Sequence, residues 1–179
     1  VQGNLIGVRA DGVSALGNGE DGLEVVADAG GPFATLIGGD AAGAGNVIAF
    51  NGTGMWGGAG IVIADSPAGY PPQTGNSILS NAIYANQALG INLCSTQYCL
   101  DQVSPNDPGD PDTGPNNVQN YPVVIGVVGG GATVEGTLNS APNTEFRVEL
   151  FANTSCDPSG YGEGEMFLGA TSVTTDAAG

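Results

Sequence analysis

An all-β architecture is predicted by three features of the sequence: two short apolar phrases that alternate, a fixed spacing between them, and glycine, asparagine or aspartate at their ends. Gly-Asn-x-Ile stands at Gly3–Ile6, Gly45–Ile48 and Gly75–Ile78, and Gly-Leu/Ile-x-aliphatic stands at Gly22–Val25, Gly60–Ile63 and Gly90–Leu93. From Gly45 onward the leading glycines fall at 45, 60, 75 and 90, so one pair of phrases occupies 30 residues. The step from Gly3 to Gly45 is 42, the same unit with 12 residues inserted. Each phrase is short, rich in β-branched residues and bounded by turn formers, which reads as a strand followed by a turn. Strands this short cannot hold a sheet alone, but stacked coils pair each strand with its counterpart and bury a continuous apolar column. The expected product is a parallel β-helix.

In such a helix Ile6, Ile48 and Ile78 form one interior stack, and Leu23, Ile61 and Ile91 form another. A short strand at Thr35–Gly38, with Leu36 and Ile37, completes the coil that contains it. The related phrase Asn-x-Ile-x-x-Asn occurs at Asn46–Asn51, Asn76–Asn81 and Asn81–Asn86. Asparagine tolerates left-handed backbone and bonds along a ladder of identical neighbours, so these residues are expected at coil corners, satisfying turn amides. The alternative is an asparagine-lined ligand groove.

Residues 1–104 are therefore assigned to coils. Between Ser104 and Tyr121 the apolar pattern stops, and Pro105–Pro115 holds four Pro, two Gly and three Asp, so 105–120 reads as a linker or calcium loop. Over 121–179 strands are expected at Val123–Val128, Thr133–Leu138, Phe146–Phe151 and Phe167–Val173, with Phe146–Leu150 alternating as a half-buried antiparallel strand does. Four strands fall short of the roughly seven of a sandwich. Val1 begins inside a strand phrase and Gly179 falls where another turn is expected, so the chain reads as a fragment or as a subunit whose open helix ends are covered by neighbouring copies.

The strings VQGNLIGVRADGVSALGNGEDGLEVV, AAGAGNVIAFNG and GNSILSNAIYANQALGINL resemble right-handed parallel β-helix repeat proteins of bacterial exteriors. SPNDPGDPDTGPNNVQNYPVV, followed by VEGTLNSAPNTEFRVELFANTSCDPSGYGEGEMFLGATSVTTDAAG, is similar to the segment that closes such helices and leads into an immunoglobulin-like β-sandwich. The resemblance covers nearly the whole chain. It implies a right-handed parallel β-helix followed by a partial immunoglobulin-like antiparallel β-sandwich, in an extracellular or cell-surface setting. The same fold carries pectin-degrading enzymes, so activity has to be argued from residues.

Charge narrows the chemistry. Lys and Arg together number 2 against 18 Asp and Glu, with no His, for a formal net charge of −16. Two cations cannot replace the counterions of a phosphate backbone, so nucleic acid is excluded as a partner. Without His there is no Ser-His-Asp or Cys-His nucleophile system, and without Lys no Schiff base or P-loop. No apolar run approaches the roughly 20 residues of a membrane span, and an export signal is expected to lie outside the chain.

The candidate sites follow from this inventory. Asn106, Asp107, Asp110 and Asp112, with Asn116 and Asn117 beyond, concentrate hard oxygen ligands in a Gly- and Pro-containing loop, as calcium requires. The competing reading is a solvated acidic hinge. Enzymes on β-helices cleave polysaccharides, by paired carboxylates or by calcium with a cationic base. Arg9 with Asp11 and Asp21 is the lyase-like candidate, and Glu20, Asp21, Glu24, Asp28, Asp40 and Asp65 are the hydrolase-like carboxylates if they stack on one face. Arg147 in its strand reads as surface alternation. Trp56 and Tyr70, with Met55, lie in Gly-rich excursions where an aromatic either stacks on a sugar ring or caps an apolar patch. Cys94 and Cys99 bracket four residues and are expected to form a surface disulfide, consistent with an oxidising exterior. Cys156 is left over, and the resemblance implies a partner for it downstream of Gly179, a free thiol being the alternative. The function expected is a non-catalytic structural or adhesive surface segment that is glycan-binding or assembles end to end; the alternative is a polysaccharide hydrolase or calcium-dependent lyase. A polysaccharide or cell-surface component is the expected partner.

Overall fold

The structure, a computed structural model, describes residues 1–26, 34–55, 57–65, 70–95, 102–131 and 133–179. It is all-β. The strands are β1 (Leu5–Ile6), β2 (Leu23–Val25), β3 (Leu36–Gly38), β4 (Val47–Ala49), β5 (Ile61–Ala64), β6 (Ser77–Leu79), β7 (Ala82–Tyr84), β8 (Ile91–Cys94), β9 (Val123–Val128), β10 (Thr133–Thr137), β11 (Glu145–Ala152) and β12 (Met166–Thr174). The first eight form three small parallel ladders, ordered β1-β4-β7, β2-β5-β8 and β3-β6. Val1 extends the third, its amino group donating to the Leu36 carbonyl at 2.7 Å and its carbonyl accepting from Gly38 N–H at 2.8 Å.

Register separates two of the expected stacks. Leu23, Ile61 and Ile91 share one register line. Ile6 and Ile48 are continued by Ile83, however, and Ile78 pairs with Ile37 in a different ladder. The step between partners is 42 residues from Leu5 to Val47, 35 from Ile48 to Ile83, 41 from Ile37 to Ile78 and 30 from Ile61 to Ile91, so no single period governs the coils. Excursions between strands absorb the difference; Val8 and Ala15, for example, bridge antiparallel around a turn closed by Gly12 N–H to the Arg9 carbonyl. The side chains of Ile37, Ile48, Ile61, Ile63 and Ile83 form the buried core, with Ile6, Leu23, Val25, Ile78 and Leu93 packed against it. Burying one such side chain contributes about 1.5–3 kcal/mol relative to exposure, which is what holds strands only two to four residues long.

Corners are set by asparagine ladders. In the first column Asn4 N–H and Nδ2 donate to Asn46 Oδ1, and Asn46 N–H and Nδ2 donate to Asn81 Oδ1. In the second, Asn18 donates to Asn51 and Asn51 to Asn86 in the same way. In the third, Thr35 N–H donates to Asn76 Oδ1, and Asn76 donates to Asn116 Oδ1. Five of the residues that precede these asparagines turn left-handed. Gly3 and Gly75 do so without a side chain to clash, but Phe50, Ser80 and Ala85 have φ of 61°, 54° and 53° despite carrying Cβ atoms. Left-handed backbone costs a non-glycine residue roughly 1–2 kcal/mol, which the bonds from the following asparagine offset.

Beyond residue 120 the strands form two separate antiparallel pairs, β9 with β10 and β11 with β12, each interrupted by a bulge. The expected alternation over Phe146–Leu150 breaks at Glu149, which is half-buried while Leu150 is exposed, because Glu149 turns its carboxylate onto the coils. Arg147 is exposed, as the surface reading expects, and its guanidinium also pairs with Asp40 at 2.6 Å and Glu149 at 2.8 Å, tying β11 to the turn after β3. Among the described residues no helix is long and apolar enough to cross a membrane.

Candidate functional site

The last parallel strands present donors on Ser80, Ile83 and Asn86, and residues far along the chain accept from them. Glu149 accepts from Ser80 N–H at 2.9 Å and Ser80 Oγ at 3.3 Å. Glu163 accepts from Asn86 N–H at 3.2 Å and Asn86 Nδ2 at 2.7 Å, ending the second ladder on a carboxylate. Ile83 N–H donates to the Gly164 carbonyl at 2.8 Å, so the same segment covers the edge of β7. Sequence reasoning singled out neither glutamate as a cap, since each lies about seventy residues or more from its partner and no local motif links them.

Burial pushes the Glu163 carboxyl above the usual glutamate range and the nearby Asp157 charge adds to this, while the Asn86 hydrogen bonds oppose it. The fold therefore favours the protonated acid more than the unfolded chain does. The stability contributed by Glu163 is full below pH 4.5, its unfolded value, and is lost as pH rises through the higher folded pKa. Urea midpoints measured in pH steps for wild type and Glu163→Gln, which stands in for the neutral acid, are expected to lie together below pH 4.5 and to diverge as pH rises, wild type falling below the variant; parallel profiles would show that Glu163 titrates as an ordinary acid. Glu163→Ala, which leaves Asn86 donors without an acceptor, is expected to cost about 1–3 kcal/mol.

The acidic loop is built on Asp107-Pro108-Gly109-Asp110. Proline fixes φ for the first turn position and Gly109 takes φ 76° at the second, after which Asp110 continues left-handed at φ 52°. Buried Asn120 organises the loop: Nδ2 donates to the Asp107 carbonyl at 2.7 Å and the Asn139 carbonyl at 2.9 Å, while its Oδ1 accepts from Asp107 N–H at 3.1 Å. Ser140 Oγ donates to Asp110 Oδ2, and Ser140 is fully buried. The Oδ1 atoms of Asp107 and Asp110 are buried and accept no hydrogen bond. Asp112 is exposed. Asn106 is occupied elsewhere, exchanging both amide atoms with the Tyr121 backbone at 2.8 and 3.0 Å, and Asn116 caps the third ladder. Desolvation raises the Asp107 carboxyl, and the charges of Asp112 and Asp110 raise it further. Among the described residues no three His, Cys, Asp or Glu side chains converge on a metal-sized point. Asn120 and Ser140 were missed by sequence reasoning; the asparagine repeat in Asn116–Asn120 was the only local signal.

Several of the lyase-like and hydrolase-like residues have separate engagements. Arg9 is exposed, and among the described residues it forms no ion pair. Asp11 closes its own turn, accepting from Val13 N–H, Ser14 N–H and Ser14 Oγ, and these bonds hold its carboxyl below the usual range, the Ser14 hydroxyl contributing most. Asp21 accepts from Gly58 and Ala59 N–H at 2.7 and 2.8 Å. Glu24 shares its register line with Val62 and Asn92, not with other acids. Asp40 is paired with Arg147, Glu20 is exposed, and Asp65 is half-buried just past the end of β5. An open groove of about 380 Å³ lies between the Gly39–Val47 segment, Ser80 and Phe167, with Asp40 its one acidic lining residue among those described.

Tyr70 is 43% exposed and Met55 85%; Trp56, Asp28 and Cys99 lie outside the described residues. Cys94 is disulfide-bonded and Cys156 is an exposed free thiol. Comparison with known proteins finds no matching family model, no matching curated protein and no matching solved structure.

Proposed function

We propose that this chain is a non-catalytic extracellular structural or adhesive surface segment, in which a right-handed parallel β-helix wall leads into a partial immunoglobulin-like β-sandwich. The observation that carries this reading is where the acids are engaged. Asp11 and Asp21 close turns, Glu149 and Glu163 close ladder ends, and Asp40 holds Arg147. General acid–base cleavage of a glycosidic bond needs two carboxylates facing one another across the substrate, and a calcium-assisted elimination needs a cationic base beside the metal. Arg9 is exposed and, among the described residues, forms no ion pair. A wall of stacked coils instead offers a repeating, anionic surface along which a glycan or another surface component can lie.

Incubation with neutral and uronic-acid polysaccharides, in calcium and then in chelator, is expected to release no reducing ends and no unsaturated-uronate absorbance. Calcium-dependent turnover abolished by Arg9→Ala or Asp11→Ala would replace the scaffold by a polysaccharide-cleaving enzyme. Retardation in gels containing each polysaccharide separates the adhesive role from the purely structural one.

A further inference from the structure

We infer that Asp107 and Asp110 anchor a calcium ion through their Oδ1 atoms, at the loop that joins the parallel ladders to the antiparallel hairpins. The acidity of the segment is not by itself the ground. Two carboxylate oxygens, three residues apart in one turn, are buried and receive no hydrogen bond, although their neighbourhood is otherwise closely satisfied. Asp107 N–H and carbonyl are both bonded to Asn120, and Asp110 Oδ2 accepts from Ser140 and from Asn120 N–H at 3.4 Å. The loop thus fixes both residues and leaves one oxygen of each unbonded.

A buried carboxylate oxygen without a donor is costly, and two together add mutual repulsion. A proton or a cation relieves this. Hard oxygen donors favour calcium, which accepts six to eight oxygens in flexible geometry and completes its shell with carbonyls and water, so it does not need three converging acids. Exposed Asp112, whose charge acts on Asp107, lies on the solvent side to draw the ion in. The ion would lock Asn120 and Ser140, one on each side of β9 and β10, to the same turn. This site is independent of whatever the coil wall binds.

The test is calorimetric titration of the whole chain with calcium chloride, paired with thermal melts in calcium and in chelator. A single site with Kd of about 10⁻⁴–10⁻³ M is expected, in the range of extracellular modules, together with a saturable rise in Tm. Asp107→Asn and Asp110→Asn are expected to weaken binding at least tenfold. In chelator both variants should melt at or above the wild type, since each removes a buried charge, and this distinguishes a lost site from a lost fold. Glu20→Gln, which removes one exposed charge elsewhere, should bind as the wild type does. Absence of any calcium response up to 10 mM overturns the assignment. So does an equal response in wild type and both variants, which is attraction to the net charge.

Discussion

Gly38→Ala is expected to destabilise the chain by about 3–5 kcal/mol. Gly38 ends β3 with φ 81°, and an alanine Cβ there would stand 1.9 Å from the Leu79 carbonyl oxygen and 2.6 Å from Asn81 Oδ1. The left-handed backbone accounts for roughly 1–2 kcal/mol. The rest arises because the obstacle is the backbone of β6, so β3 and β6 must separate where Gly39 N–H donates to Leu79 at 2.9 Å. Losses of this size come from a short list of causes, strained φ and overpacking among them. Gly43→Ala is the control. It has φ 78° but nothing within 4 Å of its would-be Cβ, so it should cost only about 1 kcal/mol. Denaturant midpoints at constant slope measure both; equal losses would show that φ alone matters and that the two strands are not held in close register.

Asn86→Ala should cost about 3–5 kcal/mol, lowering Tm by on the order of 10 °C at 2–4 °C per kcal/mol. Asn86 is the hub of the second column. Its Oδ1 accepts both the N–H and the Nδ2 of Asn51, and Asn51 is almost completely buried. Its own Nδ2 donates to the Ile48 carbonyl at 3.1 Å and to Glu163. Truncation strands two buried donors, a strand carbonyl and a half-buried carboxylate, each carrying a desolvation cost of about 1–3 kcal/mol before relaxation. The isosteric Asn86→Asp separates hydrogen bonding from volume. It keeps the acceptor for Asn51 but sets a second carboxylate against Glu163, so it should be destabilised at neutral pH and recover as the pair is protonated. Equal thermal stability of Asn86→Asp and wild type at neutral pH would mean that Glu163 does not cap this column in solution.

The candidate site was partly legible. Asp107-Pro108-Gly109-Asp110 announces a turn with acids at both ends, because proline and glycine fix their own φ whatever surrounds them. That one oxygen of each acid is buried depends on Asn120 and Ser140, which reach the turn from 13 and 30 residues away. The catalytic candidates show the same dependence in reverse. Arg9, Asp11 and Asp21 are close in sequence, yet Asp11 closes a local turn and Asp21 reaches across 37 residues to Gly58.

By itself the sequence determined that the chain is all-β, where most strands begin, and which corners can turn at glycine before asparagine. These are preferences of a few adjacent residues, and β-branched runs bounded by Gly, Asn and Asp express them locally. Register was decided only in three dimensions. Ile78 and Ile83 sit in equivalent phrases, Asn76–Asn81 and Asn81–Asn86, both with the five-residue spacing of Asn46–Asn51, and it is the pairing of Asn46 with Asn81 and of Asn51 with Asn86 that brings Ile83, not Ile78, onto Ile48. The left-handed corners at Phe50, Ser80 and Ala85 and the caps Glu149 and Glu163 were likewise settled by tertiary contacts. Nothing within a few residues favours them; they exist because buried amides at each coil's edge must find an acceptor, and the chain supplies it from wherever the fold brings one near.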